Sequence, residues 1–494
     1  MNTLTSINQK FATCLLLAIT LLFCTSCNSQ ENFKKEASYL SLIENGLLPK
    51  VQIENDPVYY QLEERMKHYG AIGFSLTTIK DFEIEDSKGY GFCQKENNIK
   101  TNTNSVFRVG SISKSLTAIL ILKLQDKGIL DIDTDIKNYL KSWKLPKSTF
   151  IENTPVTLRA LLTHTSGLKK QQRVKLGDHG FVKGERIYTL NEILDGKTVL
   201  QPITFTSKPG EEFKYSNQGY NLIEKVIEDV TNQSFEDLAQ ELILTPFEMT
   251  NSTFKTVYPD KSNTTYCYAY KDEIVHEGFY KNIAQKCGGG LFSTSQDLAK
   301  FSIKVANIVN GKDAFLSSKL AKQIFSKEDY GLGFDLIKKE DLFLFSHSGR
   351  VPGFYSFMAM DPQKGNGFVM IVNSDGVDDL FREMLRSVSK TFEYDLWKPK
   401  QITKIDIDIR DYNNYVGNYK YDGADDNEVI TVIIKNNQLY YQEFDEDEVY
   451  EYPLVPISKN VFIDGIDGNK IEFKTNGDAI LGAIYDDEYS YTKI

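Results

Sequence analysis

Residues 113–127, SKSLTAILILKLQDK, are the segment that most restricts how this chain can fold. Apolar residues are so frequent between Leu116 and Leu124 that a helix here must be buried on most sides. Gly128 follows as a typical helix-terminating residue. The strand-like FRVG at 107–110 leads directly into this helix. The pattern therefore predicts a strand-to-helix junction inside a domain with a large core.

The segments around this helix predict an α/β fold. Strand-like runs lie at 71–79 and 82–92, and four more follow between 330 and 375, separated by turn residues. The region 140–300 is mainly helical in pattern, and residues 377–392 carry apolar side chains at steps of three and four. We predict an antiparallel sheet flanked by helices, with an all-helical subdomain between its two halves.

The composition changes near residue 396. Residues 396–404 have the composition of a linker, and residues 405–494 contain 20 acidic and 7 basic residues, a net charge of −13. Alternating runs such as EVITVIIKNNQLYYQEF, with a turn at Asn436-Asn437, predict a small antiparallel β domain. The acidic run at 445–448 lacks the ligand spacing of a calcium loop, so a solvated loop is the favoured interpretation.

The first 27 residues have the features of an export signal. Lys10 precedes an apolar run that is too short to span a bilayer comfortably. Thr25 and Ser26 before Cys27 resemble a bacterial lipobox, in which that cysteine becomes the lipid-bearing N-terminus; cleavage without lipid is the alternative. Residues 28–55 would then form a polar tether. We expect a periplasmic or cell-envelope protein, attached to a membrane by its N-terminal lipid if the cysteine is modified.

Charge and cysteine content argue against a nucleic-acid-binding protein, a disulfide-rich protein and a zinc protein. The whole chain has a net charge of −11 and no cluster of Lys and Arg, which argues against a nucleic-acid partner. After removal of the signal, Cys93, Cys267 and Cys287 remain, an odd number too widely spaced for a disulfide framework or a zinc site. We expect them to be buried free thiols.

Ser111 and Lys114 form a candidate catalytic pair at the start of the buried helix. Their i, i+3 spacing lets the two side chains meet, and the serine lies where backbone N–H groups favour negative charge. A lysine can activate a serine only when it is neutral, and burial lowers its pKa. An N-cap serine beside a solvated lysine explains these two residues equally well. The same spacing also occurs at Ser166, Ser252, Ser387 and Ser490.

Two further stretches favour the catalytic interpretation. PGEEFKYSNQGY places Tyr215 and Asn217 before a helix, and FSHSGRVPGF places His347 and Gly349 on a strand. With Ser-x-x-Lys, Tyr-x-Asn and Lys/His-x-Gly in this order, the sequence resembles the serine β-lactamase-related superfamily. That superfamily includes class C β-lactamases, low-molecular-weight penicillin-binding proteins, D-aminopeptidases and family VIII esterases.

The resemblance covers residues 56–395, which we expect to form a serine hydrolase domain of β-lactamase/transpeptidase-like fold. LRALLTHTSGL at 158–168 and CGGGLFSTSQDLAKF at 287–301 also look like family blocks. For His164 we favour a structural role at a helix end over that of a general base. For Gly288 to Gly290 we favour close backbone packing near the site over phosphate binding.

The resemblance also implies individual roles. Ser111 would be the acylated nucleophile, and Lys114 with Tyr215 would relay the proton. Asn217 would hold the substrate amide or the lysine, and the backbone N–H groups of the serine and Arg350 would form the oxyanion hole. This acyl transfer needs no cofactor and no metal.

His347, Ser348, Gly349 and Arg350 would bind the substrate. Relatives that act on β-lactams or on D-Ala-D-Ala usually have lysine at the first of these positions, whereas histidine is mostly neutral at pH 7. We therefore predict a serine hydrolase that acts on small esters or amides, including peptides that contain D-amino acids. The alternative is a sensor of cell wall or β-lactams that acylates slowly or not at all.

Overall fold

The computed structural model describes residues 37–170, 188–197, 202–256, 264–268, 274–276, 286–326, 329–423, 428–445, 448–477 and 479–494. The predicted signal peptide, Cys27 and the first part of the predicted tether lie outside these residues. Across the described segments, no helix is both long enough and apolar enough to cross a membrane.

From residue 71, strands come first, helices follow, and strands return before a long amphipathic helix, as the sequence predicts. The region 140–300, predicted to be mainly helical, also contains the short strands Cys267–Tyr268, Ile274–His276 and Phe292–Ser293. The helices are α1 (Tyr39–Glu44), α2 (Leu62–Tyr69), α3 (Ser113–Asp126), α4 (Leu158–Leu162), α5 (Leu190–Leu194), α6 (Asn217–Thr231), α7 (Phe235–Ala239), α8 (Lys286–Gly289), α9 (Ser295–Val309), α10 (Ser318–Ala321), α11 (Asp378–Thr391) and α12 (Ile409–Tyr412). The strands before the C-terminal domain are β1 (Val51–Ile53), β2 (Gly73–Lys80), β3 (Glu83–Gln94), β4 (Ile99–Lys100), β5 (Phe107–Arg108), β6 (Cys267–Tyr268), β7 (Ile274–His276), β8 (Phe292–Ser293), β9 (Asp335–Lys339), β10 (Leu342–Val351), β11 (Phe354–Met360), β12 (Gly367–Val372) and β13 (Lys400–Ile402).

A seven-stranded antiparallel sheet in the order β4-β3-β2-β12-β11-β10-β9 forms the centre of the catalytic part. Strand β12 is buried along its whole length, because helices cover both faces of the sheet. Its side chains alternate: Val369 and Ile371 face the core that contains α3, whereas Phe368 and Met370 face the core that contains α1, α2 and α11. The predicted α/β fold with an antiparallel sheet is therefore confirmed.

The C-terminal part closes into an antiparallel barrel of eight strands. These are β14 (Gly417–Tyr421), β15 (Val429–Lys435), β16 (Gln438–Asp445), β17 (Glu448–Ser458), β18 (Val461–Asp464), β19 (Lys470–Asn476), β20 (Ala479–Tyr485) and β21 (Tyr489–Lys493). Asn436 and Asn437 form the predicted turn between β15 and β16, and their φ angles of +51° and +62° fit a type I′ hairpin. Buried side chains such as Tyr419, Tyr441 and Phe473 occupy the interior.

The second half of the predicted tether, 28–55, and the predicted linker, 396–404, contain regular structure that we did not predict. Helix α1 buries Leu40 and Ile43 in the core that contains α11. Strand β1 of the tether pairs in parallel with β13 of the linker. A small apolar core joins this pair to the barrel, formed by Val51, Ile402, Val455 and Ile463. Burial of these apolar side chains thus joins the two segments to the catalytic part on one side and to the barrel on the other.

Candidate active site

Ser111 lies on a 3-10 turn, Gly110–Ile112, that continues directly into α3. Gly110 has a φ of +52°, and a methyl group placed on it would lie 3.0 Å from the backbone nitrogen of Arg350. A methyl group placed on Gly349 would lie 1.9 Å from the carbonyl oxygen of Val109. These two glycines therefore allow the serine turn and strand β10 to contact each other through their backbones.

Three distant segments meet at the Ser111 hydroxyl. The Lys114 amine nitrogen lies 3.0 Å from Ser111 Oγ, as the i, i+3 spacing predicts. The hydroxyl of Tyr215, which lies two residues before the start of α6, is 2.8 Å from the same oxygen. The serine and the tyrosine are each partly exposed, whereas the lysine is fully buried. The structure thus brings together the nucleophile and the two proton-relay residues that the resemblance implies.

The surroundings of Lys114 favour its neutral form. Burial lowers the pKa of this lysine to about 7, so a large fraction of it is uncharged at neutral pH. The rings of Tyr215 and Tyr220 lie 5.0 and 5.2 Å from the amine nitrogen. Burial also raises the pKa of Tyr215, which therefore keeps its proton. The site combines a base that is partly free at pH 7 with a phenol that can donate.

Asn217 is the first residue of α6, but it does not hold the lysine. Within the described part of the chain, no hydrogen bond joins its side chain to Lys114. The carbonyl oxygen of Gly288 on α8 takes this place and lies 2.6 Å from the amine nitrogen. A methyl group on Gly288 would lie 3.2 Å from Tyr220 Cβ, so this glycine packs closely beside the site as expected, whereas a methyl group on Gly289 would have no heavy atom within 4 Å.

His347 lies in the wall of the site rather than in the cleft. Its side chain is buried, with Nδ1 2.6 Å from the carbonyl oxygen of Ser348 and Nε2 3.3 Å from the Tyr330 hydroxyl. Because a carbonyl only accepts, Nδ1 carries the proton and Nε2 accepts from the tyrosine. Burial, followed by the charge of Lys114, lowers the pKa of His347 to about 3. Both ring nitrogens are engaged by the protein, which differs from the implied role as a substrate ligand.

The next residues of β10 present their backbone to the serine turn. Ser348 is partly exposed, and Gly349 is buried against Val109. The Arg350 side chain is exposed; its guanidinium lies 2.5 Å from the Asp378 carboxylate and stacks 4.5 Å above the Tyr355 ring. The arginine charge is therefore already paired in this structure.

Tyr330 and Phe213 are site residues that the sequence analysis missed. Tyr330 was interpreted only as the start of a strand, yet its hydroxyl contacts His347. Phe213 keeps 55% of its surface exposed, and its ring centroid lies 5.5 Å from that of Tyr330. The sequence signal for Phe213 is its position two residues before Tyr215, which places it close to the site. Phe213 is thus exposed at the rim of the site, with the buried Tyr330 ring packed against it.

Comparison with known proteins shows the family. A family model described as Beta-lactamase matches residues 61–390. Protein flp of Staphylococcus aureus (strain N315) is 25% identical over 310 residues, which are 61% of this chain and 59% of that protein. The chain thus spans less than two thirds of the length of that relative.

Two solved structures share the fold. The octameric penicillin-binding protein homologue from Pyrococcus abyssi has a TM-score of 0.62 at 23% identity, covering 87% of this chain and 98% of that one. D-Amino acid amidase from Ochrobactrum anthropi SV3, in complex with L-phenylalanine amide, has a TM-score of 0.54 at 21% identity, covering 67% and 96%. The resemblance inferred from the motifs is confirmed, and the chain belongs to the beta-lactamase family.

Proposed function

We propose that this protein is a serine hydrolase that forms an acyl intermediate on Ser111. The observation that carries the proposal is the convergence of the Lys114 amine and the Tyr215 hydroxyl on one serine oxygen, at 3.0 and 2.8 Å. Such distances allow direct proton transfer. The alternative interpretation, an N-cap serine beside a solvated lysine, does not account for the burial of Lys114 or for the contact with Tyr215.

The proposed reaction has two acyl transfers. In the first, Lys114 takes the proton of Ser111, Oγ attacks the substrate carbonyl carbon, and Tyr215 protonates the departing alkoxide or amine. The proton on the lysine then restores the tyrosine. In the second, Tyr215 and Lys114 take a proton from water as the water oxygen attacks the acyl carbon. The bond between that carbon and Ser111 Oγ then breaks, the acid leaves, and the proton returns to Oγ. The N–H groups of Ser111 and Arg350 would stabilise the oxyanion, by about 3 kcal/mol for each donor.

The substrates that we propose are small esters or amides without a carboxylate beside the reacting carbonyl. The neutral His347 and the paired Arg350 leave neither side chain free to bind a carboxylate. The exposed ring of Phe213 favours an apolar group at the rim. Amides and peptides of D-amino acids fall within this class, and D-amino acid amidase is among the proteins that share the fold.

Labelling with a fluorophosphonate probe tests the proposal. The full chain should be labelled, and intact mass should show one adduct that Ser111→Ala abolishes. Unlabelled protein from the same preparation would be assayed with p-nitrophenyl esters, D-amino acid anilides and nitrocefin, and the neutral esters and anilides should turn over fastest. No labelling of the wild type, or equal labelling of the variant, would remove the enzyme hypothesis. Labelling by a β-lactam without any turnover would support the sensor alternative.

We also propose export with lipid attachment at Cys27, which rests on the sequence of the first 27 residues. Mass spectrometry of the N-terminal peptide from bacterial membranes should find a diacylglyceryl cysteine. Cys27→Ser should release the protein from the membrane fraction. A cleaved but unmodified N-terminus would support export without an anchor.

A further inference from the structure

His164 holds the backbone on both sides of Tyr215. Its carbonyl oxygen accepts a hydrogen bond from the Lys214 N–H at 2.7 Å. Its ring nitrogen Nδ1 accepts another from the Ser216 N–H at 3.1 Å. The residues immediately before and after the tyrosine are therefore both fixed to the same histidine.

The imidazole also packs against the phenol itself. The ring centroids of His164 and Tyr215 lie 4.2 Å apart, with 36° between the ring planes. Tyr330 and Tyr220 enclose the imidazole further, at 5.0 and 5.6 Å. The histidine is buried, so this packing restricts both the backbone and the ring of the tyrosine.

The backbone of His164 is itself in an unusual conformation. It lies just past α4 with a φ of +55°, in the left-handed region that favours glycine or asparagine. This conformation costs about 1 to 2 kcal/mol for an ordinary residue. Neither glycine nor alanine would supply the ring nitrogen that accepts from Ser216.

The imidazole must be neutral to act in this way. A protonated Nδ1 could not accept from the Ser216 N–H. Burial, followed by the charge of Lys114, lowers the pKa of His164 well below its usual value. The acceptor is therefore present throughout the neutral pH range.

We propose that His164 is a positioning residue that keeps the Tyr215 hydroxyl within hydrogen-bond reach of Ser111 during acylation. The proposal rests on the proposed function above, in which that hydroxyl transfers a proton. It assigns the histidine no contact with the substrate and no proton transfer of its own.

Three variants of the full chain test the side chain. Asn Oδ1 occupies nearly the same position as His Nδ1 and asparagine tolerates a positive φ, so His164→Asn should be labelled by the fluorophosphonate within threefold of the wild-type rate. His164→Gln moves the acceptor by one bond, and His164→Ala removes it; both should be labelled about 30-fold more slowly, since a 1 Å misplacement can cost about 100-fold. Asn232→Ala, which also changes a residue of positive φ just past a helix, is the matched control.

A double-mutant cycle with Tyr215→Phe separates positioning from general stability. If His164 acts through the phenol, His164→Ala should not slow a Tyr215→Phe protein further. A further loss as large as in the wild type would overturn the proposal, as would equal losses in the Asn and Gln variants with unchanged Tm. If the alanine variant does not fold, the glutamine variant takes its place in the cycle. A wild type without label at Ser111 would overturn the proposed function, whereas a labelled wild type with an additive cycle would overturn only this inference.

Discussion

The Lys114 amine nitrogen lies 2.6 Å from the carbonyl oxygen of Gly288 and 3.0 Å from Ser111 Oγ. The carbonyl can only accept, so it fixes one N–H of the amine and leaves the lone pair of the neutral form free to face the serine. A backbone group from α8 thus orients the base, and the family block that contains Gly288 contributes directly to the geometry of the site.

The proposed reaction should become faster as the pH rises through about 7. Because burial lowers the pKa of Lys114 to about 7, kcat/KM should rise with pH through an apparent pKa near 7, as the lysine loses its proton. Steady-state kinetics from pH 5 to 9 with a neutral ester checks this. Lys114→Arg, which stays charged, should lose more than about 100-fold. A wild-type profile that is flat from pH 5 to 8 would contradict the assignment of the base.

Gly349 should not tolerate a side chain. In Gly349→Ala the new methyl group would lie 1.9 Å from the Val109 carbonyl oxygen and 2.6 Å from Ser356 Oγ, so β10 must move away from the serine turn. We expect a loss of about 3 kcal/mol in the free energy of unfolding, together with loss of labelling at Ser111. Chemical denaturation and probe labelling measure the two effects.

Gly289→Ala is the matched control for this steric argument. A methyl group on Gly289 would have no neighbouring heavy atom within 4 Å. Its stability should stay within about 1 kcal/mol of the wild type. Similar losses in the two variants would mean that close contact with Val109 is not the cause.

Glu224 should make the protein less stable as the pH rises. Burial raises the pKa of this carboxyl on α6 to about 8, and its oxygen accepts from the Cys287 N–H at 3.3 Å. Between about pH 4.5 and 8 the unfolded chain is ionised at this position while the folded protein keeps the proton, so folding loses stability with increasing pH. Glu224→Gln removes this pH-dependent contribution to the free energy of unfolding. The difference in that free energy between the variant and the wild type should therefore shift by about 3 kcal/mol in favour of the variant from pH 5 to pH 8.

Urea denaturation at several pH values measures this difference. Glu64→Gln, at an exposed position of α2, is the control and should show little change with pH relative to the wild type. A constant difference between Glu224→Gln and the wild type across this pH range would mean that the carboxyl is ionised in the folded protein.

The pair formed by Arg350 and Asp378 should affect substrate choice more than stability. Both side chains are about half exposed, so Asp378→Asn should change the free energy of unfolding by less than about 1 kcal/mol. It releases the guanidinium beside the serine turn, and the ratio of kcat/KM for nitrocefin, which carries a carboxylate, to that for a neutral ester should rise several-fold. Asp379→Asn, which loses a similar exposed pair with Arg382, should leave the ratio unchanged. An equal rise in both variants would show that only the general surface charge matters.

The parts of the fold that follow from short-range patterns could be predicted. The apolar run of α3, the alternation in the sheet strands and the Asn436-Asn437 turn each depend on neighbours within a few residues. The pairing of β1 with β13 joins three-residue segments about 350 positions apart, and such strands have no periodicity of their own. Closure of the barrel likewise depends on the pairing of β14 with β21, which a local pattern does not contain.

The site shows the same limit. The residues that touch Ser111 lie in recognisable motifs, so their identity was accessible from the sequence. The engagement of His347 by Tyr330 and the contact of Lys114 with Gly288 arise only when loops pack together. The resemblance implied a role in binding substrate for the histidine, whereas its burial and its hydrogen-bond partners are visible only in the structure.

The parallel pairing of β1 with β13 brings the chain that follows α1 beside the chain that leads into the barrel. Val51 pairs with Lys400. Along the strand direction, only about 7 Å therefore separates Val51, where β1 begins, from Ile402, where β13 ends. A cassette for transplantation into a loop of another protein would therefore have to begin before α1, because Leu40 and Ile43 belong to the core that it must keep.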